Sequence, residues 1–137
     1  MSKILGIDYG TKRIGLAISD SLQLIASPLT TISTNNALSF LADLIKKESI
    51  SCFVIGYPKD LMLNPTDSTS SVEKFEKKIF GRFPNIKIHR FDERFTSKIA
   101  RRTILDSGLT KSKRRNKELV DKISATLILQ DYLSYKS

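Results

Sequence analysis

Three carboxylates far apart in the chain, Asp8, Glu93 and Asp121, are of the residue type that binds divalent cations. Asp8 ends an apolar run, and Gly10 and Gly15 leave room beside it for another backbone or a phosphate. Oxygen ligands without His or Cys support favour a hard cation such as Mg²⁺ or Mn²⁺ over zinc. Two such ions about 4 Å apart can activate water and stabilise the leaving oxygen of a phosphodiester. Together the acids predict a site for metal-dependent phosphodiester chemistry.

The first two acids also have structural interpretations. Asp8 could simply cap the turn that follows it. Glu93 follows Asp92, and neighbouring side chains on an extended backbone point in different directions. Either Asp92 or Glu93 could therefore face the site, while the other caps the next turn or pairs with Arg94.

Asp121 lies in a C-terminal segment that is apolar nearly all round and is predicted to be a largely buried helix. It shares a helical face with Ala125 and Ile128. An acid on such a face requires a cation, a metal or hydrogen bonds. Lys122 is an unsuitable partner because adjacent helical residues face apart. Glu118, one turn earlier, competes with Asp121 for the same role.

The elements that must position these acids follow the order β-β-β-α-β-α-β-α-α. They are a hairpin over 3–20, a strand Leu22–Ile32 with Pro28 near a sheet edge, a helix capped by Asn35, a strand Cys52–Gly56, a helix with the capping box Ser70 and Glu73, a strand Ile86–Phe91, a helix Thr96–Ser107 and a helix Asn116–Tyr132. This order predicts a single α/β domain over 1–137. Its mixed five-stranded sheet is antiparallel in the first three strands and then parallel, with helices on both faces.

Open sheets of this kind place their sites outside the carboxyl ends of the parallel strands. Asp8, Gly56-Tyr57-Pro58 and Asp92-Glu93 all fall at such ends. We therefore expect three separate segments to meet at one end of the sheet.

Charge points to a polyanionic partner. Lys and Arg total 23 against 14 Asp and Glu, a net charge of +9, which favours nucleic acid through phosphate contacts. No apolar run is long enough to span a bilayer, and the single cysteine, Cys52, indicates a reducing, cytoplasmic location. The residues predicted to bind nucleic acid are Lys12, Arg13, Arg94, Lys98, Arg101, Arg102, Lys113, Arg114 and Arg115.

Several motifs resemble one known family in order along nearly the whole chain. Asp8-Tyr9-Gly10-Thr11-Lys12-Arg13-Ile14-Gly15 resembles the opening signature of the YqgF family, also called RuvX-type. The later matches are Gly56-Tyr57-Pro58, Asp92-Glu93-Arg94-Phe95-Thr96, Lys113-Arg114-Arg115, Val120-Asp121 and Ile128-Leu129-Gln130-Asp131-Tyr132-Leu133. The resemblance implies a ribonuclease H-like fold and a metal-dependent nuclease whose acids are Asp8, Glu93 and Asp121.

Family members are described as Holliday-junction resolvases and as nucleases that mature the 5′ end of the small-subunit ribosomal RNA precursor. The resemblance therefore implies structured RNA as substrate, with branched DNA as the alternative, and a monomer or a homodimer. The segment 59–67 departs from the family pattern, because it lacks the usual Asn-x-Asp-Gly turn and its glycines.

Two other classes of function compete with a nuclease. Asp-x-Gly-Thr with a later glycine also resembles the first phosphate loop of actin-like ATPases and sugar kinases, but those proteins clamp nucleotide between two lobes and 137 residues supply one. An inert nucleic-acid-binding module is the other class. It predicts that the unaltered protein cuts nothing when Mn²⁺ is added.

Overall fold

Five strands form one mixed sheet in the computed structural model, which describes residues 2–57, 67–92 and 117–136. The strands are β1 (Lys3–Asp8), β2 (Arg13–Ser19), β3 (Ala26–Ser33), β4 (Ile50–Tyr57) and β5 (Lys87–Asp92), in the spatial order β3-β2-β1-β4-β5. β1 pairs antiparallel with β2 and β2 with β3, whereas β1 pairs parallel with β4 and β4 with β5. This is the predicted sheet, and β3, which carries Pro28, lies at its edge as expected.

The described helices cover both faces of the sheet. α1 (Ala37–Lys47) and α2 (Asp67–Arg82) lie on one face, and α3 (Lys117–Lys136) lies on the other. The centre of β1 is covered on both faces: Leu5 and Ile7 pack towards α1 and α2, whereas Ile4 packs towards α3. None of these helices is both long and apolar enough to cross a membrane.

α2 and α3 each bury one face against the sheet. Val72, Phe75 and Ile79 of α2 are all buried, as the 3–4 residue spacing required. α3 buries one stripe against the sheet and leaves its other described side chains half-buried or exposed, so it is less enclosed than predicted. The buried residues of that stripe are Ala125, Ile128, Leu129 and Leu133.

The predicted first residues of two helices and one strand were wrong by a few positions. α1 begins after a 3₁₀ turn at Thr34–Asn36, so Asn36 and not Asn35 is its N-cap. α2 begins at Asp67, which places Ser70 inside the helix. The run of Asp, Ser and Thr that opens α2 offers several possible caps, so its start could not be read from one of them. β3 begins at Ala26 because the residues before it form a turn around Gln23, whose φ is 59°.

The β2–β3 turn is held by the carboxylate of Asp20. Its Oδ1 accepts hydrogen bonds from the backbone N–H groups of Leu24 at 2.8 Å and Ile25 at 2.9 Å. The N–H of Ile25, and then that of Leu24, lower the pKa of Asp20 below its ordinary value of 3.8. The ionised carboxylate is therefore the form that the fold prefers.

Acidification is expected to weaken this turn. Because folding lowers the pKa of Asp20, its ionisation contributes stability above the ordinary pKa, and this contribution is lost as pH falls through the folded-state pKa. Asp20→Asn keeps an acceptor but does not titrate. Denaturant unfolding of both proteins, from neutral pH to below about 4, should show the free-energy gap between them shrinking in acid. A gap that stays constant or grows would contradict this account.

Candidate active site

Asp8 faces α3 at the end of β1. Successive strand residues point to opposite faces, and Ile4 and Gly6 both lie against α3, Gly6 directly under Leu129 and Ala125. Asp8, two positions further, therefore belongs to the same face. The parallel strands β1, β4 and β5 end together at Asp8, Tyr57 and Asp92, and we call this end of the sheet the carboxyl rim. Asp8 is half-buried there.

Gly15 brings α3 down onto this part of the sheet. It is the register partner of Asp8 on β2, so it shares the same face. A Cβ built on Gly15 would overlap the backbone carbonyl of Asp121. The helix backbone therefore rests directly on the strand backbone, an approach that only glycine permits. Asp8 and Asp121 are thus neighbours of the same glycine, one in the sheet and one on the helix above it.

Asp121 has a basic partner from the sheet. The Nε of Arg13 lies 3.0 Å from Oδ2 of Asp121, with 34% and 24% of the respective side chains exposed. Arg13 opens β2, two residues before Gly15 and on the same face. Of the three partners that the sequence left open for this acid, a cation, a metal or hydrogen bonds, the structure shows a cation. It is Arg13, 108 positions away in sequence, and not Lys122.

The β1–β2 loop at the carboxyl rim is held by hydrogen bonds from the 3₁₀ turn that precedes α1. The hydroxyl of Thr34 donates to the carbonyl of Gly10 at 2.7 Å, and its N–H donates to the carbonyl of Lys12 at 3.1 Å. The ring of Tyr9 packs on Phe75 of α2, with centroids 4.8 Å apart. The role of Thr34 could not be predicted, since no local spacing in the sequence connects it to a loop more than twenty residues earlier.

The structure describes four of the predicted site residues. Asp8, Arg13 and Asp121 come together at the carboxyl rim, and Lys12 is exposed in the loop beside them. The described part of the chain contains no group of three or more His, Cys, Asp or Glu residues arranged to hold a metal ion. The remaining predicted residues lie outside the described residues: Glu93, Arg94, Lys98, Arg101, Arg102, Lys113, Arg114 and Arg115.

The chemistry of the described groups fits a hard divalent cation. Asp8 and Asp121 supply carboxylate groups on one face of the sheet, on either side of Gly15, where the backbone of α3 lies against β2. Carboxylate oxygens are the ligands that Mg²⁺ and Mn²⁺ prefer. Asp121 is already paired with the guanidinium of Arg13, so a metal ion and this guanidinium would share or exchange the same carboxylate.

A family model and individual related proteins place the chain in the same family. A family model described as "RuvX: Holliday junction resolvase" matches residues 2–135. A protein of Flavobacterium psychrophilum named "Putative pre-16S rRNA nuclease" is 52% identical over 136 residues, covering 99% of both chains. One of the same name from Amoebophilus asiaticus is 46% identical, covering 98% of this chain and 95% of its own.

Two solved structures show the fold. Thermus thermophilus RuvC in complex with Holliday junction substrate superimposes with a TM-score of 0.58 at 11% identity, covering 99% of this chain and 96% of that one. Fowlpox virus resolvase in complex with junction DNA gives a TM-score of 0.60 at 18% identity, covering 98% of both. The predicted ribonuclease H-like fold is confirmed.

Proposed function

Because the chain belongs to the RuvX family, we propose that it is a nuclease that matures the 5′ end of the 16S ribosomal RNA precursor with Mg²⁺ or Mn²⁺. The observation that carries this proposal is the placement of Asp8 and Asp121 around Gly15 on one face of the carboxyl rim. The names of the two relatives described above support the choice of substrate.

Asp8, Asp121 and Glu93 are the residues proposed to hold the metal. Glu93 joins them because it follows Asp92, the residue with which β5 ends at the carboxyl rim. When bound, the metal would lower the pKa of a water nucleophile and neutralise charge on the cleaved phosphate. The chain itself fixes the acids: β1 carries Asp8, and the contact at Gly15 sets the height of Asp121 above the sheet.

Basic residues around the acids are proposed to bind the phosphate backbone. Lys12 is exposed in the braced β1–β2 loop, and Arg13 opens β2 beside Asp121. Such contacts position a nucleic acid without reading its sequence. The other residues proposed for this role are Arg94, Lys98, Arg101, Arg102, Lys113, Arg114 and Arg115. We place this activity in the cytoplasm, since Cys52 is buried and is the single cysteine of the sequence, with no second cysteine for a disulfide within the chain.

Resolution of four-way DNA junctions is the alternative function. It is favoured by the description of the matching family model, and the same acids would perform it. The two activities differ in assembly, because symmetric cutting of two strands requires a homodimer, whereas trimming one RNA end is possible for a monomer.

The decisive experiment offers both substrates to the purified protein. With Mn²⁺, we expect cleavage of a precursor RNA spanning the mature 5′ end of 16S rRNA, and no cleavage when EDTA is added. A four-way DNA junction of matched length should be cut much more slowly. Faster cleavage of the junction would contradict the proposed function and support junction resolution. Cleavage of neither substrate would favour an inert binding module.

A further inference from the structure

In the ion pair between Arg13 and Asp121, a positively charged guanidinium lies against a carboxylate that is proposed to bind metal. Arginine guanidinium groups stay protonated in proteins. Its Nε lies 3.0 Å from Oδ2 of Asp121. A divalent ion coordinated by Asp121 would stand next to this guanidinium, and like charges at short range repel.

The backbone around the pair is fixed, whereas the arginine side chain has room to move. The contact of α3 with Gly15 anchors Asp121 at its carbonyl. Arg13 has 34% of its side chain exposed, so its guanidinium can turn towards solvent without opening the core. The arrangement therefore allows one carboxylate to exchange partners while the helix and the sheet stay in place.

We infer that Arg13 is a built-in counter-ion that neutralises Asp121 while the metal is absent, competes with the metal for that carboxylate, and leaves it when the metal binds. This inference rests on the proposed function, because it takes Asp121 to be a metal ligand. It assigns Arg13 two successive partners, first the carboxylate and then the phosphate backbone. Arg13 is thus a residue that tunes metal affinity and not a metal ligand itself.

The inference predicts that removing the charge of Arg13 tightens metal binding. At roughly 6 Å in the dielectric of water, repulsion between a unit charge and a divalent ion corresponds to roughly a tenfold change in affinity. We therefore expect Arg13→Gln to bind Mn²⁺ about tenfold more tightly than the unaltered protein in calorimetric titration. Arg13→Lys, which keeps the charge, should stay close to the unaltered protein.

Lys122→Gln is the matched control for net charge. Lys122 neighbours Asp121 in sequence but faces away from it on the helix, so its removal should change Mn²⁺ affinity by no more than about twofold. A second readout is the rise in melting temperature on adding Mn²⁺. In Arg13→Gln the metal-free protein should melt earlier, and the rise should be larger.

A purely structural ion pair predicts the opposite direction. If Arg13 served only to hold Asp121 in place, Arg13→Gln would bind Mn²⁺ more weakly, and this result, or an unchanged affinity, would overturn the inference. Asp8→Asn separates this failure from failure of the proposed function. If Asp8→Asn binds Mn²⁺ more weakly while Arg13→Gln binds it unchanged, only the inference about Arg13 is wrong. If Asp8→Asn binds Mn²⁺ as tightly as the unaltered protein, the proposed metal site is wrong as well.

Discussion

Asp8→Asn is expected to lower the cleavage rate of the precursor RNA roughly a thousandfold or more, equivalent to about 4 kcal/mol of transition-state stabilisation. The amide has the shape of the carboxylate but not its charge, so it is a poor ligand for a hard cation. Asp8 is half-buried at the end of β1 and lies outside the two apolar clusters, so the fold should survive. Single-turnover cleavage with Mn²⁺ measures the loss.

Two controls decide how that loss is interpreted. RNA affinity in EDTA should be retained or improved in Asp8→Asn, because the substitution removes negative charge from the binding face. Asp20→Asn makes the same chemical change in the β2–β3 turn, at the opposite end of β2 from Gly15, and should leave the cleavage rate unchanged. Full activity in Asp8→Asn would show that the carboxyl rim is not the catalytic centre.

The sheet could be predicted from the sequence because its signals are local. The apolar run of Ile4, Leu5 and Ile7 is nearly continuous, which is typical of a strand covered on both faces. The structure buries all three residues. Pro28 indicated an edge strand, and β3 is one. The wrong helix starts have a local cause as well. Several residues that can cap a helix stand side by side before α1 and at the start of α2, so residue type alone does not select one of them.

The site could be predicted only in part. Asp8 was identified from its place after a buried strand, and Asp121 from the cost of an acid on an apolar helix face. The structure brings both to the same glycine, Gly15. The partner of Asp121 could not be predicted, because 23 Lys and Arg residues were available and the choice of Arg13 depends on how α3 docks across β2. The role of Glu93 stays a prediction.

Gly15→Ala is expected to be the most damaging small substitution in the described part of the chain. The new Cβ would overlap the backbone carbonyl of Asp121, and the backbone N–H of Lys122 lies just behind it. Backbone cannot turn aside as a flexible side chain can, so α3 must lift from β2. We expect a loss of about 3 kcal/mol in the free energy of unfolding. Cleavage should fall further than stability alone explains, because Asp121 moves with the helix.

Gly81→Ala provides the matched control for this prediction. Gly81 lies in α2, and a Cβ there meets nothing within 4 Å. The same glycine-to-alanine change should therefore stabilise the protein by about 0.5 kcal/mol, through a less flexible unfolded chain, and leave cleavage unaltered. Denaturant unfolding of both variants, with cleavage assayed where each is fully folded, measures the difference. A Gly15→Ala protein as stable and active as Gly81→Ala would show that α3 does not rest on β2 at this glycine, and the placement of Asp121 beside Asp8 would lose its physical basis.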